Sequence, residues 1–300
     1  MSSIFVIVVS YNRKHLLIKC INRLLSQSLL PTQIFIIDNA STDGTESYLK
    51  AQGFLDHSLI TYHCLTENIG GAGGFAEGIK MAMQSGAEWM WLMDDDAMPA
   101  YDALEKLLQS PLNESCVYGS VAIGEGGERL CWPVETAFGK KLISLDDLGS
   151  PQIPVVFHPF LGFLISRKLA TEVGLPDAEF FLSGDDVDYC LRIASLGGKV
   201  YLCRASRLNH PMPPRTTINI LGIRIDSLVQ TPERTYYNIR NKIVIARRYY
   251  GTKLWTQTTP GILIRFTISI LAGPNRYRYI KAYSLAIFHG LLGKLGKYSL

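Results

Sequence analysis

The sequence predicts a doubly wound α/β sheet followed by a basic helical segment, and three observations carry that prediction. Apolar, largely β-branched runs at residues 4–9 and 33–37 are of the kind a parallel strand buried on both faces requires. Each run is followed by apolar residues at helical spacing, so strand and helix alternate. Charge then divides the chain: residues 1–203 hold 14 Lys and Arg against 24 Asp and Glu, and residues 204–300 hold 16 against 2. The resulting balances, −10 and +14, make the net +4 of a chain of 300 residues that is 47% apolar. That length and composition support a sizeable core and exclude a disordered chain.

Taken in order, the N-terminal residues 1–10 read as a strand, because they lack the basic n-region of a signal peptide. Ser10, Tyr11, Asn12 and Arg13 break the strand. Residues 15–26 then place Leu16, Leu17, Cys20, Ile21, Leu24 and Leu25 on one helical face. The second strand ends at Asp38-Asn-Ala-Ser-Thr-Asp-Gly-Thr45, where another helix begins. A strand at residues 59–65 leads to Asn68-Ile-Gly-Gly-Ala-Gly-Gly-Phe75. Its four glycines, Gly73 among them, read as a loop donating amides to an anionic ligand, ahead of a helix over residues 75–85. A plain connector is the alternative, and the run matches neither the P-loop nor the dinucleotide pattern.

Next, Trp89-Met-Trp-Leu-Met93 runs into Asp94, Asp95 and Asp96. Adjacent carboxylates repel and ionise together only around a cation or several donors. Hard oxygen ligands suit Mg²⁺ or Mn²⁺; the competing reading is an acidic turn capping a helix that starts near Pro99. In open α/β sheets ligands bind outside the carboxyl ends of the strands, which is where Ser10, Arg13, Asp38 and the triple Asp all lie. Residues 117–159 are less regular, with loops at 124–127 and 151–154. Residues 160–165 are strand-like and 168–173 helical. Gly184-Asp185-Asp186-Val-Asp188 then opens a helix whose inner face carries Val187, Cys190, Leu191 and Ala194. Paired carboxylates there either cap the helix or place one member as a base while the other holds it. A strand at 199–203 leads to His210, either structural or an added ligand of the acidic site.

The six cysteines show no C-x-x-C pair or zinc-finger spacing and read as reduced, buried thiols. No run reaches the ~18 apolar residues of a spanning helix, so a cytoplasmic protein is expected. Residues 236–250, 261–272 and 276–298 interleave aromatic, basic and apolar residues. Such helices suit the headgroup level of an anionic membrane, or a cap on the sheet. No nucleic-acid-reading motif appears.

In order and spacing, Ile7-Val-Val-Ser-Tyr-Asn-Arg13, Ile37-Asp-Asn-Ala-Ser-Thr-Asp-Gly-Thr45, the triple Asp and Gly184-Asp-Asp-Val-Asp188 resemble glycosyltransferase family 2. Its members are inverting enzymes with the Rossmann-like nucleotide-diphospho-sugar transferase fold called GT-A. The glycine run, His210, the Tyr236-Tyr-x-x-Arg-Asn241 helix and the closing Gly290-Leu-Leu-Gly-Lys-Leu-Gly296 look more narrowly like bacterial galactofuranosyltransferases. The resemblance implies a catalytic domain over residues 1–215 and a helical, membrane-associating region over 216–300. Asp38 resembles the aspartate that binds uracil, with Ser10, Tyr11, Arg13, Asn68, Gly73 and Asp95 in the same nucleotide-sugar site. Asp94 and Asp96 look like the pair on a Mn²⁺ or Mg²⁺ ion, with His210 completing it. Asp186 matches the general base, and Asp185 the residue orienting base or acceptor. The family often has Trp before this pair and Glu two residues after it, where this chain has Gly184 and Asp188.

The donor implied is UDP-galactofuranose, and the acceptor a lipid-linked glycan at the inner face of the cytoplasmic membrane, as in O-antigen or capsule assembly. A transferase using dTDP-rhamnose or another UDP-sugar competes within the family. An inactive nucleotide-sugar scaffold needs none of these acids together, and a metal-dependent phosphohydrolase needs no uracil pocket.

Overall fold

The two β-branched runs become the inner strands of a sheet, β1 (Ile4–Ser10) and β2 (Gln33–Asp38). The computed structural model describes residues 2–109, 111–124, 127–212, 214–220, 223–228, 230–272 and 275–300; of the loop expected at 124–127, Glu125 and Gly126 lie outside them. The chain forms two compact units, residues 1–177 with 186–212 and residues 178–185 with 213–300.

In the first unit, β1 pairs in parallel with β2, and β2 with β3 (Ile60–Cys64). The helices α1 (Lys14–Leu25), α2 (Thr45–Ala51) and α3 (Gly70–Gln84) alternate with these strands. On its other side β1 pairs in parallel with β4 (Trp89–Asp94). Along β1 the residues alternate between two cores: Phe5, Ile7 and Val9 join one with Phe75 and Ile79 of α3. Ile4, Val6 and Val8 join the other with Leu17, Ile21 and Leu24 of α1. Burial on both faces is what selected an unbroken apolar run over an alternating one.

The register sets the chemistry. Ser10 faces Asp38 across β1 and β2, and Val9 faces Asp94 across β1 and β4, so Ser10, Asp38 and Asp94 finish their strands in one row.

Beyond β4 come β5 (Met98–Pro99), α4 (Ala103–Leu108), β6 (Cys116–Ile123), β7 (Arg129–Glu135), β8 (Lys141–Ser144), β9 (Gln152–Val155), β10 (Phe163–Ser166), α5 (Arg167–Val173), α6 (Asp185–Ser195) and β11 (Lys199–Asn209). The sheet is mixed, in the order β3-β2-β1-β4-β10-β6-β11-β5. The short β10 lies antiparallel between β4 and β6, and β6 runs parallel to β11. Because β10 opposes both neighbours, β4, β6 and β11 all end at the same edge, and the residue after Asn209 arrives beside the triple Asp.

Four sequence expectations change here. The stretch expected to be irregular contains a central strand, β6, buried along its whole length, and its loop expected at 151–154 is instead largely β9, paired antiparallel with β11. Gly119 and Ser120 weaken its strand signal, yet a Cβ on Gly119 would lie 2.2 Å from the ring of His158. The helix expected to open near Pro99 begins instead at Ala103, and Met98–Pro99 pairs with β11. The inner face of α6 carries Tyr189, Cys190 and Ile193, while Val187 and Leu191 are half-buried and Ala194 is exposed.

The glycine run is the fourth. It is no loop but the first turns of α3, which starts at Gly70. A Cβ on Gly74 would meet Val9 at 2.6 Å, and one on Gly78 would meet Ile7 at 2.4 Å. These glycines let α3 lie against β1 more closely than a side chain permits.

The second unit opens with an antiparallel ribbon, β12 (Arg215–Ile220) and β13 (Ile223–Leu228), where helix was expected from residue 216. Its repeated Ile and Thr favour strand. The helix α7 (Pro232–Ile245) follows, capped by the Thr231 side chain, which accepts from the Arg234 amide, with Pro232 in the first turn. A π-helical turn (Ala246–Tyr250), α8 (Thr259–Ala272) and α9 (Arg276–Leu292) complete it. Among the described residues all six cysteines are free, and no helix is long and apolar enough to cross a membrane.

Candidate active site

The triple Asp is built from the end of β4 outward. Asp94 is exposed and Asp95 and Asp96 are buried. Asp95 Oδ2 accepts from the Ser10 hydroxyl at 2.8 Å, and Asp95 Oδ1 from Arg13 Nη1 at 3.2 Å. The same Arg13 nitrogen donates to Asp96 Oδ2 at 2.7 Å. The other Asp96 oxygen, Oδ1, is buried without a hydrogen-bond partner and lies 3.2 Å from His210 Nε2. His210 arrives because β11 ends beside β6, its amide donating to the Ile123 carbonyl at 3.0 Å.

The electrostatics show a surplus of negative charge. Although the residue keeps exposed surface, the protein crowded around its carboxyl and then the charges of Asp96 and Asp95 push Asp94 upward. Burial lifts Asp95 to about 6, with Arg13 and Ser10 pulling against it. Against the cost of its own burial, Asp96 is held below the usual carboxylate range by His210 and then Arg13. Against its burial, His210 is raised to about 10, chiefly by Asp96.

The donor set fits a hard divalent ion. Two ligands at neighbouring corners of an octahedral ion stand about 3 Å apart, close to the 3.2 Å between Asp96 Oδ1 and His210 Nε2. Among the described residues no group of three or more His, Cys, Asp or Glu is placed to hold an ion by itself.

Asp38 is buried at the end of β2. Its Oδ2 accepts from the Tyr62 hydroxyl at 2.5 Å and its Oδ1 from the Ser41 amide at 2.9 Å. Each oxygen keeps a second lone pair, so a base N–H can still be received. Burial and then Asp38 raise the Tyr62 phenol, which stays protonated and donating. Two residues beside it hold left-handed backbone, Asn12 at φ 54° and Ala40 at φ 58°. The first is pinned by Ser41 Oγ, which accepts from its amide at 2.8 Å, and by the Thr42 amide, which donates to its Oδ1 at 2.7 Å. Strain held this way is a mark of binding loops.

The remaining predicted residues fall unevenly. Tyr11 is exposed beside this row. Asn68 accepts from the Gly70 amide at 2.8 Å and so turns the chain into α3. Gly73 is buried in that helix under Ile69 and presents no open backbone. Ser10, Arg13 and Asp95 are engaged with one another. At the start of α6, Asp185 is buried, and Asp186 is half-buried with Oδ1 accepting from the Val187 amide at 2.8 Å. Asp188 is tied to Arg192 at 3.0 Å inside the fold. Sequence reading missed Tyr62 and the part of Ser41 in holding Asn12; only the register that sets β3 beside Asp38 reveals Tyr62.

The family model described as "Glycosyl transferase family 2" matches residues 5–174. The chain belongs to glycosyl transferase family 2. It is therefore a glycosyltransferase of the hexosyl-transferring, inverting kind, with a nucleotide-sugar donor and a glycan acceptor. Galactofuranosyltransferase GlfT1 of Mycolicibacterium smegmatis is 27% identical to this family 2 chain over 79% of it and 80% of the relative. The dTDP-rhamnosyl transferase RfbF of Shigella flexneri is 24% identical over 98% of this chain and 97% of the relative. Among solved structures, GalNAc-T7 with UDP, GalNAc and Mn²⁺ superposes with a TM-score of 0.63 at 13% identity. That match covers 98% of this chain and 57% of GalNAc-T7, and it establishes the GT-A fold.

Proposed function

We propose that this chain transfers galactofuranose from UDP-galactofuranose, with Mn²⁺ or Mg²⁺, to a hydroxyl of a lipid-linked glycan at the inner face of the cytoplasmic membrane. The observation that supports the metal-dependent reading is the pairing of buried Asp96 Oδ1, which accepts no hydrogen bond, with His210 Nε2 3.2 Å away at the end of β4. Asp96, His210 and Asp94 would hold the ion together with donor phosphate oxygens. When bound, it supplies positive charge that stabilises the diphosphate as it leaves.

The residues of the chain supply the rest. Asp38 receives the base, and Tyr62 fixes the orientation of its carboxylate. Ser10 and Arg13 hold Asp95 and turn Asp96 toward His210. Asp186 takes the acceptor proton as the acceptor oxygen bonds to the anomeric carbon and the bond to the diphosphate breaks on the opposite face. The galactofuranose assignment rests on the GlfT1 relative.

The membrane reading is supported by the second unit, where Trp255, Leu263, Ile264, Tyr277, Phe288 and Leu292 are exposed among Arg276, Arg278 and Lys281. Exposed apolar side chains among cationic ones suit an anionic headgroup layer. Co-sedimentation with phosphatidylglycerol vesicles, lost on replacing Trp255, Leu263 and Phe288 by Ser, is the expected result.

A dTDP-rhamnose donor is the second reading, favoured because the RfbF relative aligns along almost the whole chain, the C-terminal region included. One experiment separates the two. Purified protein is given Mn²⁺, a lipid-like galactoside acceptor and, in turn, UDP-galactofuranose, UDP-galactopyranose, UDP-glucose and dTDP-rhamnose, and nucleotide release is followed. Release from the furanose donor alone, stopped by EDTA, is expected. Release from dTDP-rhamnose alone would move the assignment to the second reading.

A further inference from the structure

The chain enters the acidic pair of α6 through strained backbone. Phe181 and Ser183 hold φ of 62° and 69°, and Gly184 follows at 86°. A bulky aromatic residue in the left-handed region is an outlier that persists only where its surroundings over-determine it. The surroundings here are the Tyr-Tyr-x-x-Arg-Asn face of α7, for which the reaction so far has no use. The Asn241 amide nitrogen lies 3.0 Å from the Phe180 carbonyl, 3.0 Å from that of Leu182 and 2.6 Å from that of Ser183. Its two N–H groups are thus shared among three oxygens of one short segment.

Asn241 is itself held. Arg240 is completely buried and donates from Nε to Asn241 Oδ1 at 2.8 Å. Its other nitrogens reach the Phe180 carbonyl at 2.9 Å and the Gly296 carbonyl at 2.6 Å. The guanidinium lies over the rings of Tyr236 and Tyr237, at 5.3 and 5.0 Å. The Phe181 ring stacks on Tyr237 at 4.9 Å. The C-terminal tail closes the third side: the Gly296 amide donates to the Glu179 carbonyl at 2.7 Å, and the Tyr298 amide and carbonyl both bond the Tyr237 hydroxyl at 2.9 Å. A buried cation satisfied by fixed carbonyls and two aromatic faces is costly to remove and geometrically demanding.

The geometry points to Arg240 and Asn241 as positioning residues that clamp residues 180–183 in their strained conformation and so fix where Asp185 and Asp186 begin α6, with the C-terminal tail as part of the clamp. This rests on the reading of Asp186 as the base only for its catalytic consequence. The clamp itself is independent of that reading.

Two arms test it on the full chain. In hydrogen exchange, Asn241→Ala is expected to speed exchange of the peptide covering residues 178–186 by about tenfold while β1 and β4 are unchanged. Deleting residues 294–300 should do the same. Unchanged exchange overturns the clamp.

In the transfer assay with UDP-galactofuranose and a galactoside acceptor, Asn241→Ala should lower kcat about a hundredfold, the cost of a small misplacement, with UDP affinity within about twofold of wild type. Adding Ser183→Gly, which accepts positive φ without strain, should recover about tenfold of that loss. Arg240→Lys, which keeps charge but not the fork, should behave like Asn241→Ala. A weakened UDP affinity that accounts for the whole loss, or no recovery with Ser183→Gly, overturns positioning. Combined with Asp186→Asn, Asn241→Ala should add no further loss; a full additional loss overturns action through Asp186. If Asp186→Asn alone stays active while Asn241→Ala does not, the base reading fails and the clamp stands, with Asp185 as the acid it places.

Discussion

Asp94, Asp95 and Asp96 at the end of β4 and Asp185 and Asp186 at the start of α6 are both runs of adjacent carboxylates, and they are held by different forces. The first run is governed by charge: Arg13 bridges Asp95 and Asp96, His210 faces the other oxygen of Asp96, and Asp94 and Asp95 are pushed up to about 8 and 6. The entry to the second is governed by shape: neutral carbonyls, one buried amide and stacked rings fix a strained backbone. A charge-held cluster answers to ions, and a shape-held one to packing. On the function proposed above, the first cluster would handle the donor's diphosphate and the second the acceptor's proton.

The largest expected effect separates the two directly. Asp96→Asn should lower transfer on the order of a thousandfold and raise the Mn²⁺ concentration needed for half-maximal rate. A wild-type Mn²⁺ titration would remove Asp96 from the ion site. Asp186→Asn should cost on the order of a few hundredfold in kcat and leave both the Mn²⁺ titration and UDP affinity in place. If it moves the titration, the two clusters are not separate in role.

Arg13→Met comes third. It leaves buried Asp95 with Ser10 alone, and a buried acceptor that loses a partner costs about 1–3 kcal/mol. Chemical denaturation should show that loss, while hydrogen exchange of residues 178–186 stays as in wild type. Faster exchange there would show that the charge-held and shape-held regions are coupled.

Two neighbouring glycines sharpen the line between packing and binding. Gly74→Ala should destabilise by about 1–2 kcal/mol through overpacking against Val9. At Gly71 a Cβ meets nothing within 4 Å, so Gly71→Ala should gain about 0.5–1 kcal/mol from helix propensity. Loss of UDP affinity in the stabilised Gly71 variant would return the start of α3 to the donor site.

The smallest effect is the control for pH work on either cluster. Burial holds His158 below its ordinary value, against the pull of the Pro159 and Ser120 carbonyls. A histidine lowered in the fold binds fewer protons there than in the unfolded chain. Its contribution is full above the unfolded value and falls as pH drops through about 6.5, by at most about 1 kcal/mol between pH 6.5 and 5.5. His158→Gln should flatten that slope in thermal melts at pH 5.5 and 7.5.

The pattern of residues made half of this architecture readable. Strands β1, β2 and β4 are unbroken apolar runs, and the acids that end them sit where an open α/β sheet binds ligands. What was not readable depends on partners distant in sequence. The strand β6 was hidden because Gly119 and Ser120 interrupt its run, and only the ring of His158 explains them. The glycines of α3 looked like a ligand loop because their use, contact with Val9 and Ile7, is made across the sheet. Tyr62 was invisible as a partner of Asp38 until strand register joined them. The Arg240 and Asn241 pair was noticed as a motif without a physical reason, since its acceptors are backbone carbonyls, which every residue carries.

The antiparallel β10 has a consequence for how the molecule is made. Leu92 of β4 pairs with Phe163, and Cys116 of β6 pairs with Lys199, so the middle of the sheet joins segments about 70 to 80 residues apart. During synthesis β1, β2, β3 and β4 can pair as soon as they emerge, but β6 must wait for β10 and β11. The carboxylates of β4 therefore stand at an unfinished edge until His210 is delivered by the last strand of the sheet. On the metal-dependent reading proposed above, ion affinity at that site would rise late and all at once, making metal uptake a reporter of completed folding.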